Sequence, residues 1–399
     1  MRSIAVVGAS LAGTSALDAL REAGFEGTLH LIDGARSIAP DRPPLSKQVL
    51  TGAMAPEKAV LPAAGVVADL DVELHLGTAA TALDLDETQR RVHLDDGTVL
   101  SVDGVVLATG ATPRRLPTDL GGVHVLRDLD HCLALRADLL ASPRRVVVIG
   151  AGFIGAEVAS SCRTLGLEVT MVEAAPLPLQ RVLPGEVGSF VAELHRGHGV
   201  DVRLGVGVEA LEGGDRVERV RFADGTTVDA DVVVAGIGVQ PSVEWLEGSG
   251  LDLSNGVLCD ETCLAAPGVV AAGDLARWPN PRDGRTGRVE QWENAIEQGR
   301  HAAFRLLAGE GTGQAYAPVP YFWSDQYDRK FQLAGRAEPT DRVEVLEGSY
   351  DEQRFVAAFE RDGECVAVVG VNRPRQVMQL RRRMLDSRVP MADLRGGLG

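Results

Sequence analysis

Two short stretches combine glycines and an acid at a spacing suited to holding a phosphate and a ribose. Gly8-Ala9-Ser10-Leu11-Ala12-Gly13 follows the apolar run at 4–7, and Gly150-Ala151-Gly152-Phe153-Ile154-Gly155 follows the run at 146–149. Each is succeeded by a helix-compatible stretch, a further glycine (Gly24 or Gly166) and a second apolar run. An acid ends each unit: Asp33, 20 residues past Gly13, and Glu173, 18 past Gly155. In such a strand–turn–helix the first glycine makes the tight turn. The middle small residue lets the backbone approach a pyrophosphate, and the third allows close helix packing. The helix N-terminus offers free N–H groups to the phosphates, and the acid can accept a ribose hydroxyl. One such loop is weak evidence. Two, each between strand and helix and each followed by an acid, predict two dinucleotide sites. Ser10 stands where the second copy has Gly152; its Cβ is a modest obstacle to a pyrophosphate, but its hydroxyl can donate to one.

The elements around the loops repeat too. Residues 92–99 and 220–227 both read as hairpins with an Asp-Gly turn. Each precedes an apolar strand that ends in glycines and then proline: 105–110 with Gly110 before Pro113, and 232–238 with Gly238 before Pro241. These strands predict that the chain leaves one nucleotide domain near 112 and returns near 240, so that the second domain is inserted into the first. A strand at 269–272 ends in Gly273-Asp274, and residues 293–304 have a helical pattern. After Pro318 and Pro320 the pattern becomes antiparallel, with strands at 331–333, 343–346, 355–359 and 366–371 and a basic helix over about 375–385. The expected fold is α/β, with two Rossmann-like dinucleotide-binding domains in a glutathione-reductase-like arrangement and a C-terminal α+β domain. The expected domains are 1–112 with 240–318, then 113–239, then 319–399.

Composition narrows the function. The chain has 399 residues, 45% of them hydrophobic, and a formal charge of −16. That charge disfavours nucleic acid and anionic membrane as partners. No apolar run is long enough to span a bilayer, and an apolar strand begins at Ile4, so neither a spanning helix nor a leader is expected. The five cysteines are Cys132, Cys162, Cys259, Cys263 and Cys365. Cys259 and Cys263 lack a second pair or clustered histidines, so no metal site is expected, and reduced thiols in a cytoplasm are.

Several further runs carry a resemblance. They are Asp41-Arg42-Pro43-Pro44-Leu45-Ser46-Lys47, Ala108-Thr109-Gly110, Ala272-Gly273-Asp274, Glu290-Gln291-Trp292-Glu293-Asn294-Ala295 and Tyr321-Phe322-Trp323-Ser324-Asp325-Gln326. With the two loops, they make the whole chain resemble the NADH-dependent, FAD-containing ferredoxin reductases of bacterial oxygenase systems. The resemblance implies that Gly8, Ser10, Ala12, Gly13 and Asp33 hold the ADP half of FAD. It implies that Arg42 and Lys47 lie along the flavin, that Asp274 meets the ribityl chain, and that Ala80, Thr109, Gly110, Arg127 and Trp292 complete the FAD contacts. Gly150, Gly152, Ile154, Gly155, Glu173, Arg181 and Gly238 would bind NADH. Glu157 would face the nicotinamide and pair with Lys47, and Trp323 would lie near the stacked rings; with Lys47 these form the implied catalytic set.

A carboxylate at 173, followed by Ala174, Ala175 and Pro176, suits a 2′-hydroxyl and repels a 2′-phosphate, which favours NADH over NADPH. The implied reaction is hydride transfer from NADH to FAD, then single-electron transfer to a [2Fe–2S] ferredoxin. No cysteine falls within 42–47, which disfavours a thiol relay. From 371 to 388 six arginines face one acid, Asp386, and the expected ferredoxin surface lies near Arg381, Arg382 and Arg383. The alternatives on the same residues are a rubredoxin reductase, an NADH oxidase and an NADH-sensing interaction flavoprotein.

Overall fold

Runs of β-branched residues with no polar interruption form the central strands, because a strand buried on both faces has no side to leave polar. The computed structural model describes residues 1–395 except 62–63, 68, 87–88, 181, 184, 310 and 312. These residues cluster into two compact units, 1–41 with 60–112 and 239–320, and 42–59 with 113–238 and 321–399.

In the first unit six strands form one sheet. Their order is Leu264–Ala266, Val269–Ala271, Gly104–Leu107, Ser3–Val7, Thr28–Asp33 and Val72–Leu76. All pairs but the first are parallel. The helices Leu11–Glu22 and Trp292–Ala308 and the meander Ala80–Leu85, Arg90–Leu94, Val99–Val102 share its core. The two helices meet through a glycine: a Cβ on Gly299 would lie 2.3 Å from the Ala12 carbonyl oxygen.

The second unit holds a five-stranded parallel sheet, ordered Asp201–Leu204, Glu168–Glu173, Arg145–Ile149, Val232–Ala235 and Val123–His124. A short antiparallel sheet carries the second Asp-Gly hairpin, between Val217–Phe222 and Thr227–Asp229. Residues 42–59, which contain the R-P-P-L-S-K run, pack in this unit: Leu45, Val49 and Leu50 join the core of the parallel sheet.

The same unit contains a five-stranded antiparallel sheet, ordered Tyr321–Gln326, Arg329–Gly335, Glu364–Val371, Arg354–Arg361 and Arg342–Ser349. The helix Pro374–Asp386 follows it. The first of these strands was not among the four read from the pattern, because its outward face carries Tyr321, Trp323 and Asp325 and its inward face the polar Ser324 and Gln326, so it shows no apolar alternation.

The seam between this sheet and the helix Glu186–Gly197 is both apolar and polar. Phe190 packs edge-on against Phe355, with ring centroids 5.1 Å apart. His195 is fully buried, its Nε2 3.2 Å from Gln326 Oε1 and its Nδ1 2.8 Å from the Tyr327 hydroxyl. Gln326 donates its amide N–H to Ser324 Oγ, so its oxygen faces His195. The imidazole therefore carries its proton on Nε2, and Tyr327 donates to Nδ1. Burial lowers the His195 pKa to about 4, against the opposing pull of Gln326.

Two predictions arise from this packing. Gly299→Ala should destabilise the protein by about 1–3 kcal/mol, since a backbone carbonyl cannot move aside as a side-chain tip can. Gly197→Ala, at a helical position whose Cβ meets nothing within 4 Å, should be neutral or stabilising. Denaturant melts of both variants check this. His195 is neutral in the folded chain and gains a proton on unfolding, so its contribution is present above the unfolded pKa near 6.5 and is lost as pH falls towards 4. The loss is on the order of 3 kcal/mol. Stability measured across that window should fall less steeply in His195→Gln than in the wild type.

Candidate functional site

The two glycine loops have the same construction. In the first, Gly8 N–H donates to the Ile32 carbonyl at 2.8 Å; in the second, Gly150 N–H donates to the Val172 carbonyl at 2.7 Å. Both glycines have positive φ, 116° and 98°. A Cβ on Gly8 would come within 2.2 Å of the Ala108 oxygen, and one on Gly150 within 2.3 Å of the Gly236 oxygen. Gly13 and Gly155 lie over the carbonyls of Gly8 and Gly150, where a Cβ would approach to 1.9 and 2.0 Å. These four positions are closed to any side chain by the backbone itself.

Gly152 differs, because a Cβ there would meet nothing within 4 Å. The space above it is open, as a cradle for a bound group requires. Neither loop helix has a side-chain cap: Ser10 and Gly152 occupy the N-cap positions of Leu11–Glu22 and Phe153–Thr164 without such a bond. The first-turn N–H groups thus remain available to an anion, with the positive end of the helix dipole behind them. By contrast Asp128, at the N-cap of Leu129–Leu140, accepts from the His131 N–H.

The two acids are held alike. Asp33 accepts the Ala9 N–H at 2.7 Å on one oxygen and the Ala35 N–H at 2.8 Å on the other. Glu173 accepts the Ala151 N–H at 2.8 Å and the Ala175 N–H at 2.9 Å. Each carboxylate is therefore fixed beside its own glycine loop, with lone pairs left over for hydroxyl donors. Arg181 lies outside the described residues.

Of the other first-unit positions, Asp274 and Thr109 come near the first loop. A Cβ on Gly273 would touch Ala12 Cβ at 3.0 Å, which sets Asp274 beside that loop. Arg288 donates to the Asp274 carbonyl at 2.8 Å. Thr109 donates to the Ser242 carbonyl at 2.8 Å, and Gly110 has φ 70°. Ala80 begins the meander, paired with Leu94. Trp292 opens the long helix and donates its indole N–H to Asp41 Oδ1 at 2.9 Å. That helix too has no side-chain cap at Gln291. Asp41 stood in a quoted motif without a role; its partner is 251 residues away, and nothing local reveals it.

In the second unit a buried carboxylate organises the site. Glu157 is 4% exposed. Lys47 Nζ lies 2.6 Å from its Oε2, which also accepts Ser46 Oγ at 2.5 Å, and Oε1 accepts Ser324 Oγ at 2.7 Å. A buried ion pair is costly unless its remaining lone pairs are satisfied, and the two serines satisfy them. Ser46 and Ser324 were missed as partners. Strand alternation could have found Ser324: it points to Glu157, and Trp323, one residue earlier, leaves the opposite face beside Tyr321.

Arg42 directly precedes the turn Pro43–Ser46, and Arg127 directly precedes Asp128. Ile154 is 45% exposed on the loop helix, and Gly238, with φ 94°, accepts from the Arg114 N–H at 2.9 Å.

One expectation is refined and another changes. Cys132 lies next to the 42–47 segment after all, with its thiol donating to the Leu45 carbonyl at 3.1 Å. Burial pushes its pKa up to about 11, so it is a packed thiol with no thiolate character. All five cysteines are buried and unpaired. Arg381 is not part of an exposed basic surface: it is 6% exposed, with its guanidinium 4.9 Å from the Tyr321 ring centroid. The heptad position of Arg381, between Leu380 and Met384 on the buried side of the helix, turns it inward. Arg375, Arg382, Arg383 and Arg388 are exposed, as are Met378 and Leu385.

Among the described residues no helix is long and apolar enough to cross a membrane. Rhodocoxin reductase of Rhodococcus erythropolis is 37% identical over 395 residues, covering 98% of this chain and 90% of the relative. The ferredoxin–NAD(+) reductase component of the anthranilate 1,2-dioxygenase system of Burkholderia cepacia is 37% identical over 393 residues, covering 96% and 94%. The crystal structure of the covalent putidaredoxin reductase–putidaredoxin complex superposes with a TM-score of 0.91 at 35% identity, covering 98% of this chain and 95% of that one. The family model for pyridine nucleotide-disulphide oxidoreductases matches residues 2–299, and the reductase C-terminal model matches 321–394. With its paired glycine loops and its antiparallel C-terminal sheet, the chain belongs to the pyridine nucleotide-disulphide oxidoreductase family and carries the reductase C-terminal domain.

Proposed function

We propose that this protein is a cytoplasmic, FAD-dependent NADH:ferredoxin reductase that supplies single electrons to a [2Fe–2S] ferredoxin serving an oxygenase. The observation that carries the reading is the duplicated cradle, two glycine loops each with a carboxylate already fixed beside it. Relatives of nearly equal length bear the names of such reductases. In this reading residues 1–112 and 240–318 form the FAD-binding domain, 113–239 the NAD-binding domain and 319–399 an interface domain.

When bound, the flavin would supply hydride-accepting and single-electron chemistry between NADH and the acceptor. The protein binds, orients and sets the field. The Gly8–Gly13 loop, Ser10 and Asp33 hold the ADP half of FAD; Ala80, Thr109, Gly110, Asp274 and Trp292 complete that site, with Arg42 and Arg127. The Gly150–Gly155 loop, Ile154, Glu173, Arg181 and Gly238 hold NADH. Lys47 would bring a positive charge to the redox rings, where reduction adds negative charge, and Glu157 holds that ammonium in one position. Trp323 supplies an aromatic face. The buried, protonated thiol of Cys132 favours an exit route other than a cysteine relay.

The exposed Arg382 and Arg383, with Arg375, Met378 and Leu385 on the same helix, form the proposed ferredoxin surface: arginines to steer an acidic partner, apolar tips to seat it. Arg381 supports that helix from beneath.

Glu173→Ala should lower kcat/KM for NADH by about 10- to 100-fold, the worth of charge-assisted bonds to the ribose, and leave NADPH unchanged or improved. Steady-state ferricyanide reduction with each nucleotide checks this. The function itself is tested by following NADH oxidation in air with and without a [2Fe–2S] ferredoxin coupled to cytochrome c. Slow oxidation alone and fast ferredoxin-dependent reduction are expected; rapid oxidation without ferredoxin would replace the proposal with an oxidase. Arg382→Glu with Arg383→Glu should slow the ferredoxin step several-fold and flatten its salt dependence, with NADH-to-ferricyanide turnover intact.

A further inference from the structure

The strand Val72–Leu76 is the edge of the first unit's parallel sheet, and its register sets Glu73 opposite His30 and His75 opposite Ile32. Side chains alternate along a strand, so His30, Glu73 and His75 leave the sheet on one face. There His30 Nδ1 lies 3.2 Å from Glu73 Oε2 and 3.3 Å from His75 Nε2. All three donor atoms lie within 4.8 Å of one another.

This cluster is poorly served by hydrogen bonding alone. If His75 Nε2 carries the proton and donates to His30 Nδ1, the Nδ1 lone pair opposes the Glu73 carboxylate; if His30 Nδ1 carries it, that one N–H must be shared between Glu73 and His75. A cation serves all three atoms at once. Bonds of about 2.0–2.1 Å in a tetrahedral site place neighbouring ligand atoms roughly 3.3 Å apart, the separation of both contacts made by His30 Nδ1.

The surroundings favour such a site. The His30 side chain is 11% exposed and that of Glu73 63%, so one ligand is anchored and the other side opens to water. The cysteines, all buried, offer no competing thiolate.

We propose that His30, Glu73 and His75 form a three-ligand site for a divalent transition cation, Zn2+ in the first instance, with water in the fourth position. Bound metal ties the edge strand to its neighbour Thr28–Asp33. Nitrogen–oxygen sites of this kind also accept Cu2+ and Ni2+. The expectation of no metal site rested on cysteine spacing along the chain, whereas these ligands come from two separate strands.

The test is equilibrium dialysis of the chelator-treated flavoprotein against micromolar Zn2+, with metal counted by atomic absorption and the melting temperature recorded with and without metal. The expected result is one Zn2+ per chain and a higher melting temperature. In His75→Gln affinity should fall by about ten-fold or more, since even partners outside the ligand set commonly matter that much, and the metal-induced shift should disappear. Glu73→Gln, at an exposed position that folding does not depend on, should weaken binding in the same direction. His93→Gln, which removes the exposed His93–Asp84 pair, should bind as the wild type does. No bound Zn2+ in the wild type, or equal binding by the wild type and both ligand variants, would overturn the proposal.

Discussion

A carboxylate almost shut off from water must be surrounded by donors, and in the second unit Glu157 is such a carboxylate. Its partners come from two distant parts of the chain: Ser46 with Lys47, and Ser324. The helix that carries Glu157 reinforces both ties. Ser161 donates to the Ser46 carbonyl at 2.7 Å, and Ser160 accepts the Tyr327 N–H at 2.6 Å. Removing any one donor would leave part of a buried charge uncompensated, so the 42–59 segment and the antiparallel sheet are held against one helix by electrostatic necessity as much as by apolar packing. From Ser324 the hydrogen bonds continue through Gln326 and His195 to Tyr327, with every donor pointing towards Glu157. Bonds aligned in this way polarise one another and deepen the potential at the carboxylate.

The duplicated loops show how one local solution serves two tasks. Their strand pairings, turn glycines and acid contacts match almost bond for bond, because each follows from a backbone that must fold tightly enough to free a helix N-terminus. They differ at the middle position, where Gly152 leaves open space and Ser10 brings a hydroxyl. The surroundings differ as well. The first loop lies against the helix Trp292–Ala308, through contacts only Gly273 and Gly299 permit, whereas the second begins the helix that carries Glu157.

Much of this was legible in the chain. The two loops, both acids, the two Asp-Gly hairpins and four of the five C-terminal strands are local patterns, governed by steric limits within a few residues. The strand Tyr321–Gln326 escaped the pattern because its buried face is polar, and a polar face becomes comprehensible only once Glu157 and His195 stand opposite it. Arg381 misled for a related reason. Three consecutive arginines read as one exposed patch, but a helix turns 100° per residue, and one of the three faces the interior, over Tyr321.

By itself, then, the sequence determined the architecture and the kind of ligand: glycine spacing and strand-ending acids are dictated by backbone sterics, which act locally. The tertiary structure alone decided which side chains share a charge. Lys47 meets Glu157 across 110 positions, Trp292 meets Asp41 across 251, and His30 meets His75 across 45. Cys132 next to Leu45 became a protonated thiol by the same means. Such pairings depend on sheet register and helix rotation, and on how much water is excluded, none of which is encoded within any short stretch of chain.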